Sequence, residues 1–294
     1  MAEIIQRDGT WVFDGDALRL TPGRDKNVSL FRKTLGELTV PLGALAGVSF
    51  EQGKKAGRLR LRLRDGSDPL LHATGGRLAE PHDPYQLIVE SDRYGVAEYF
   101  VEEVRGALLL DQVAADPVDA YLLPGPSLPL SVSAGDGTAT FDGEHIRLEW
   151  NWKTEDAKAA AGSRTLALAD ITGVEWHPAA GLENGHLRFT VRNAPTKAPP
   201  KYDPNAVELW GFKKDPLMAL VAAAVQARLP HPARVAATDV PGPRPELPFP
   251  PVTSAEDDHD ALLRRLRELG ELHRTGVLTD DEFTMAKQAV LKRL

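Results

Sequence analysis

Apolar residues recur along this chain in short runs broken by turn residues, and the same order of runs occurs twice. Residues 9 to 20, Gly-Thr-Trp-Val-Phe-Asp-Gly-Asp-Ala-Leu-Arg-Leu, return at 137 to 148 as Gly-Thr-Ala-Thr-Phe-Asp-Gly-Glu-His-Ile-Arg-Leu. The correspondence then continues for about ninety positions, the mark of a duplicated domain. Each copy opens with a predicted hairpin across Asp14-Gly15 or Asp142-Gly143, a dipeptide suited to tight turns between antiparallel strands. A strand ending near Val40 or Leu166, a short turn holding Leu45 or Ile171, and a second strand from Val48 or Val174 come next. Residues 58 to 64 and 186 to 192 then alternate with period two, presenting Leu59, Leu61 and Leu63, or Leu187, Phe189 and Val191, on one face.

After a polar or Pro-rich loop, each copy adds a strand (86 to 89, 206 to 210) and closes with a helix. Tyr94 to Leu110 places Val96, Phe100, Val104 and Leu108 at steps of four, and Asp215-Pro216 reads as the N-cap and first position of the second helix. Antiparallel strands closed by one amphipathic helix predict a mainly β fold with some α: two tandem PH-like barrels. The divisions expected are residues 1–112 for the first repeat, 113–130 for a linker and 131–230 for the second repeat. A Pro-rich, semi-rigid arm over 231–256 follows, and a helical hairpin over 257–294 ends the chain.

The hairpin carries clear start and stop signals. Asp257, Asp258 and Asp260 precede a helix with Leu262, Leu263, Leu266, Leu269 and Leu272 on one stripe. Gly276 stops it, and Thr279 with Glu282 forms a capping box for a second helix bearing Phe283, Ala286 and Val290. The segment Leu266-Arg-Glu-Leu269, Leu272, and Gly276-Val-Leu278-Thr-Asp-Asp-Glu-Phe283 resembles the SHOCT module, a short C-terminal hairpin of many bacterial proteins. That resemblance implies oligomerisation or docking through Leu262, Leu266, Leu269, Leu272, Leu278, Phe283, Ala286 and Val290. The Phe-Asp-Gly hairpins, Ile171-Thr-Gly-Val174 with Leu45-Ala-Gly-Val48, and the Asp-Pro strands resemble a domain-of-unknown-function family. It occurs in tandem in actinobacteria, is PH-like and is often followed by SHOCT; it implies a fold and a domain order but no activity.

Composition narrows the functional classes. With 42% hydrophobic and 26% charged residues the body is expected to fold. No cysteine is present, which removes disulfides, thiolate metal sites and cysteine nucleophiles. The first residues lack the basic and apolar stretches of a leader, and no apolar run reaches the ~18 residues of a membrane span. A cytoplasmic protein without its own anchor is expected. The net charge is −7, yet between Arg19 and Arg64 eleven Lys or Arg face only three acidic residues.

That basic region supplies the sharpest candidate site. Alternation puts Arg58, Arg60, Arg62 and Arg64 on one sheet face at steps of about 6 to 7 Å, with Lys54 and Lys55 extending it. Such a row either meets phosphates or carboxylates, including an anionic lipid surface, or is a solvated strand face neutralised by its neighbours. The second copy keeps only Arg188 and Arg192 with His186 and Thr190, which favours the solvated face. Nucleic acid is disfavoured by the overall acidity and by the lack of aromatics among the arginines. The eight histidines are scattered, Gly135-Asp136-Gly137 opens a strand where a phosphate loop would lead into a helix, and no Gly-x-Ser-x-Gly occurs. The five tryptophans read as sheet packing, with Trp150 and Trp152 on one face. No enzyme, cofactor or metal is expected. The leading expectation is a non-enzymatic scaffold that binds itself or another protein through its tail, the alternative a reversible anion- or phospholipid-binding module using the basic face of repeat 1.

Overall fold

The computed structural model describes residues 1–192 and 198–234, which fall in one compact unit within Met1–Val240. The hairpin residues Leu262, Leu266, Leu269, Leu272, Leu278, Phe283, Ala286 and Val290, and the Pro-rich arm from 235 on, lie outside the described residues. The first copy starts with β1 (Ala2–Ile5), β2 (Gly9–Phe13) and β3 (Ala17–Pro22), then a short helix α1 (Leu30–Leu35) and β4 (Leu38–Pro41). These strands form one antiparallel sheet in the order β1-β2-β3-β4. Its second sheet, β5-β6-β7, comprises β5 (Leu45–Glu51), β6 (Ala56–Leu63) and, beyond α2 (Pro69–Thr74), β7 (Gln86–Glu90). Helix α3 (Tyr94–Leu110) closes the copy.

The second copy repeats this order of strands, without a counterpart of α2 among the described residues. It has β8 (Leu130–Ala134), β9 (Gly137–Phe141), β10 (His145–Trp150), α4 (Asp156–Ala159) and β11 (Arg164–Ala167), then β12 (Ile171–His177), β13 (Gly185–Val191), β14 (Ala206–Leu209) and α5 (Met218–Gln226). The sheets are β11-β10-β9-β8 and β12-β13-β14, all antiparallel. Hydrogen bonding closes neither pair of sheets into a barrel; each half is two sheets and a helix around its own apolar cluster.

Local chemistry explains the corners. Asp14 Oδ1 accepts from the N–H groups of Asp16 and Ala17, Asp142 Oδ1 from those of Glu144 and His145, and Gly15 and Gly143 take φ of 117° and 114°. These bonds hold both carboxyls below the usual carboxylate range. The passage between sheets is a single 3-10 turn, Leu42–Ala44 or Leu168–Asp170, so β5 and β12 begin at Leu45 and Ile171, three residues before the expected Val48 and Val174. Both strands bulge immediately afterwards, at Leu45/Gly47 and Ile171/Gly173, and an extra residue there bends the strand toward the facing sheet.

The closing helices differ. Helix α3 buries Phe100 and Val104 as the steps of four require, together with Ala97 and Val101, while Val96 and Leu108 pack at the edge of the same core; Phe100 lies 6.4 Å from Trp11 between ring centroids. Helix α5 buries every residue from Met218 to Gln226, which is what Met-Ala-Leu-Val-Ala-Ala-Ala-Val requires: a helix apolar all round needs cover on all sides. The cover comes from the first copy, whose Phe31, Leu70 and Ala73 lie in the second copy's core. Helix α2, within a stretch read as loop, is built by an Asp68 N-cap, Pro69 in the first turn and Gly75 in the left-handed conformation. Asp215 does not cap its own helix. Its Oδ2 collects the N–H groups of Trp210, Gly211 and Phe212 and pins the preceding loop.

Candidate functional site

Arg58, Arg60 and Arg62 lie on β6 as the alternation requires, Arg64 follows just past its end, and Leu59, Leu61 and Leu63 are buried behind the row. Its guanidinium groups are already engaged. Arg58 and Arg60 both pair with Glu80, from the loop before β7, and Arg60 also donates to Gln86 Oε1. Arg62 reaches toward the Ala46 carbonyl, while Arg64 donates to the carbonyls of Asp116 and Gly43, tying the linker to the first copy. Lys54 and Lys55 stand exposed in the turn between β5 and β6. Beside the row lies a cleft of about 390 Å³ walled by Arg7, Asp8, Arg32, Arg58, Glu80 and Glu90 among others. Both acidic and basic groups line it.

The best-built polar arrangement is one that sequence reading passed over. At the turn between β1 and β2, Asp8 accepts from Arg32 of α1 at 2.8 Å and from the Ile88 N–H of β7 at 3.1 Å. At the matching turn between β8 and β9, Asp136 accepts from Lys158 of α4 at 2.6 Å and from the Glu208 N–H of β14 at 2.8 Å. In both copies one carboxylate therefore joins the two sheets and the helix between β3 and β4, or between β10 and β11. Burial pushes Asp136 up and Lys158 down from their usual values, while their mutual attraction opposes both shifts. Gly135 makes the approach possible: its φ is 57°, and a Cβ there would fall 1.7 Å from the Glu208 carbonyl oxygen. The Gly-Asp-Gly sequence is thus a sheet-joining turn.

Of the tryptophans, Trp11 and Trp176 are buried as expected. Trp150 and Trp152 do not share a face, because the chain leaves the strand at Asn151, whose N–H donates to the Asp136 carbonyl. Trp150 covers the Lys158 ammonium and donates to Gly162, whereas Trp152 is 89% exposed. Lys153 sits 5.2 to 5.5 Å from the ring centres of Trp152, Trp210 and Phe212, a cation surrounded by three aromatics at the surface of the second copy.

Four of the histidines, scattered in sequence, gather in two places. His72, Tyr121 and His231 make a clasp between α2, the linker and the residues after α5, with Tyr121 OH 2.6 Å from His72 Nδ1 and accepting from Gln226 Nε2. His177 and His186 stack across β12 and β13 next to Glu175. Desolvation lowers both of these imidazoles, with His186 brought down to about 4 by burial, by the stacked His177 and by the positive neighbours Arg188 and Arg77. Strand pairing, invisible in a one-dimensional spacing rule, is what brings them together.

Among the described residues no helix is long and apolar enough to cross a membrane. No curated protein matches this chain. A family model described as "Domain of unknown function (DUF4429)" matches twice, over 11–105 and 139–226. Those spans run from β2 into α3 and from β9 to the end of α5, one match for each structural copy. The chain therefore belongs to the DUF4429 family and carries its domain twice in tandem.

Proposed function

We propose that this protein is a non-enzymatic cytoplasmic scaffold, in which a duplicated PH-like body holds a protein partner and a SHOCT-like hairpin over 257–294 serves self-association or docking. The PH-like reading is supported by a four-stranded sheet, a three-stranded sheet and a closing helix in each copy. The observation that carries the scaffold reading is the aromatic cluster around Lys153. Trp152 and Phe212 spend large apolar surfaces on solvent, and tryptophan anchors of this kind dominate the energetics of protein interfaces.

The test uses the full chain in two variants. Trp152→Ser is expected to strip a bound protein in co-purification from the native host with the circular dichroism unchanged. Leu266→Glu combined with Leu269→Glu is expected to lower the subunit count seen by light scattering. A full set of co-purifying proteins in the first variant and an unaltered count in the second would sink the proposal.

Lys54 and Lys55, exposed at the β5 to β6 turn, favour a second reading, reversible binding to an anionic lipid surface through them and Arg58, Arg60, Arg62 and Arg64. Glu80 and the backbone carbonyls that engage the four arginines weigh against it.

A further inference from the structure

Glu175 and His177 lie two residues apart on β12 and so share one face of the sheet. The register sets His186 of β13 directly opposite His177. One ligating atom from each of the three lies within 4.8 Å of the other two, with Glu175 exposed and both imidazoles partly buried. Among the described residues this is the group of three donors that comes close enough to share one ion.

We propose that Glu175, His177 and His186 form a binding site for a divalent transition-metal cation of the zinc class, held by two imidazoles and one carboxylate and open to solvent on its outer side. Two nitrogens and one oxygen are donors that zinc, nickel and copper accept, whereas magnesium and calcium call for oxygen alone. Ligands about 2.0 to 2.1 Å from a tetrahedral zinc stand roughly 3.4 Å from one another, so the triad closes on an ion by moving little more than about 1 Å. The imidazole planes are 13° from parallel with centroids 4.8 Å apart. One ring must turn about χ2 for both lone pairs to converge, and that torsion is soft.

A cation already stands at this place. Arg77 Nη1 is 3.4 Å from His177 Nε2, and since arginine is always the donor, that nitrogen presents its lone pair to a positive group. Arg77 is exposed and belongs to the first copy, so an entering metal displaces a contact between the two copies. The other nearby cation, Arg188 opposite Glu175, has its charge partly offset by the Asp203 carboxylate at 3.0 Å and donates to the Ala198 carbonyl. The first copy has Ser49, Glu51 and Arg58 at the three matching positions, a set without imidazole, so it is a built-in control.

The experiment is calorimetric titration of the full chain with zinc chloride, repeated with cobalt(II) to read the visible bands of the bound ion. We expect one equivalent bound at this site. His177→Ala and His186→Ala should each weaken it at least ~10-fold, and Arg77→Gln should tighten it by removing the competing charge. Zinc affinities in both histidine variants within about twofold of the unaltered chain would overturn the proposal, since a lost ligand costs more than a lost outer-shell partner. If an alanine variant fails to fold, the exposed Glu175→Gln and the imidazole nitrogen resonances of the unaltered chain decide. Zinc saturation that leaves the His177 and His186 resonances in place would equally overturn it.

Discussion

The Lys158 ammonium rests 2.6 Å from Asp136 Oδ2 with both side chains shut away from solvent. The pair spans the second copy, since Asp136 also receives the Glu208 N–H and Lys158 also reaches the Pro200 carbonyl. Arg32 and Asp8 repeat it at 2.8 Å in the first copy with a different cation. Removing one member of such a buried pair leaves an uncompensated charge and costs about 3–5 kcal/mol, whereas removing both together costs far less. Lys158→Met is therefore expected to destabilise strongly, and Lys158→Met with Asp136→Asn to recover much of the loss in urea unfolding. Additive single and double effects would show that the pair does not act as a unit.

Glu80 decides the character of the arginine face. Its carboxylate holds Arg58 and Arg60 in exposed ion pairs, which contribute only about 0–1 kcal/mol to stability. Glu80→Gln should leave the melting temperature almost unchanged while raising sedimentation with anionic vesicles in a salt-sensitive way. Equal sedimentation of both proteins at low salt would show that Glu80 does not neutralise this face.

Leu70 belongs to the first copy by sequence and to the second by packing. Replacing a buried leucine by alanine costs about 2–5 kcal/mol. Leu70→Ala should thus increase hydrogen exchange in α5, more than a hundred residues away along the chain. Exchange that increases only between residues 1 and 110 would contradict the shared core.

Desolvation pushes the Tyr121 phenol up to about 12 from its ordinary value near 10. Between those two pH values the unfolded chain releases this proton while the folded chain keeps it. Stability present below pH 10 is therefore lost as pH rises toward 12. Buried Tyr85, raised in the same direction, adds to the loss. Tyr121→Phe should flatten the decline in alkaline urea titrations, and an unchanged slope would show that the phenol ionises as freely folded as unfolded.

The hairpins, alternating strands and closing helices are legible in the sequence because each is a local pattern: Asp-Gly at a turn, period two on β6, apolar residues at steps of four on α3. Helix α2 goes unread as part of a loop, because it is only six residues long, although Asp68-Pro69 and Gly75 mark its ends. Long-range pairing was not legible. A separation of 22 residues along the chain conceals that Lys158 folds back onto Asp136. Nor does any linear spacing reveal that His177 and His186 face each other, since register depends on the length of the connection between β12 and β13. The arginine row shows the converse: its face was correctly read, while its partner Glu80 comes from a loop whose path only the fold determines.

Helix α5 carries alanine and valine where α3 carries Glu98, Glu102 and Arg105. The reason is positional: α2 of the first copy roofs α5, whereas α3 packs on β1, β5 and β7 of its own copy and leaves its outer face to solvent. The tandem consequently has a direction, with one unit fit only to lead and the other only to follow. A permuted chain with the order reversed would leave an oily helix bare on the leading unit and press charged side chains against the trailing one.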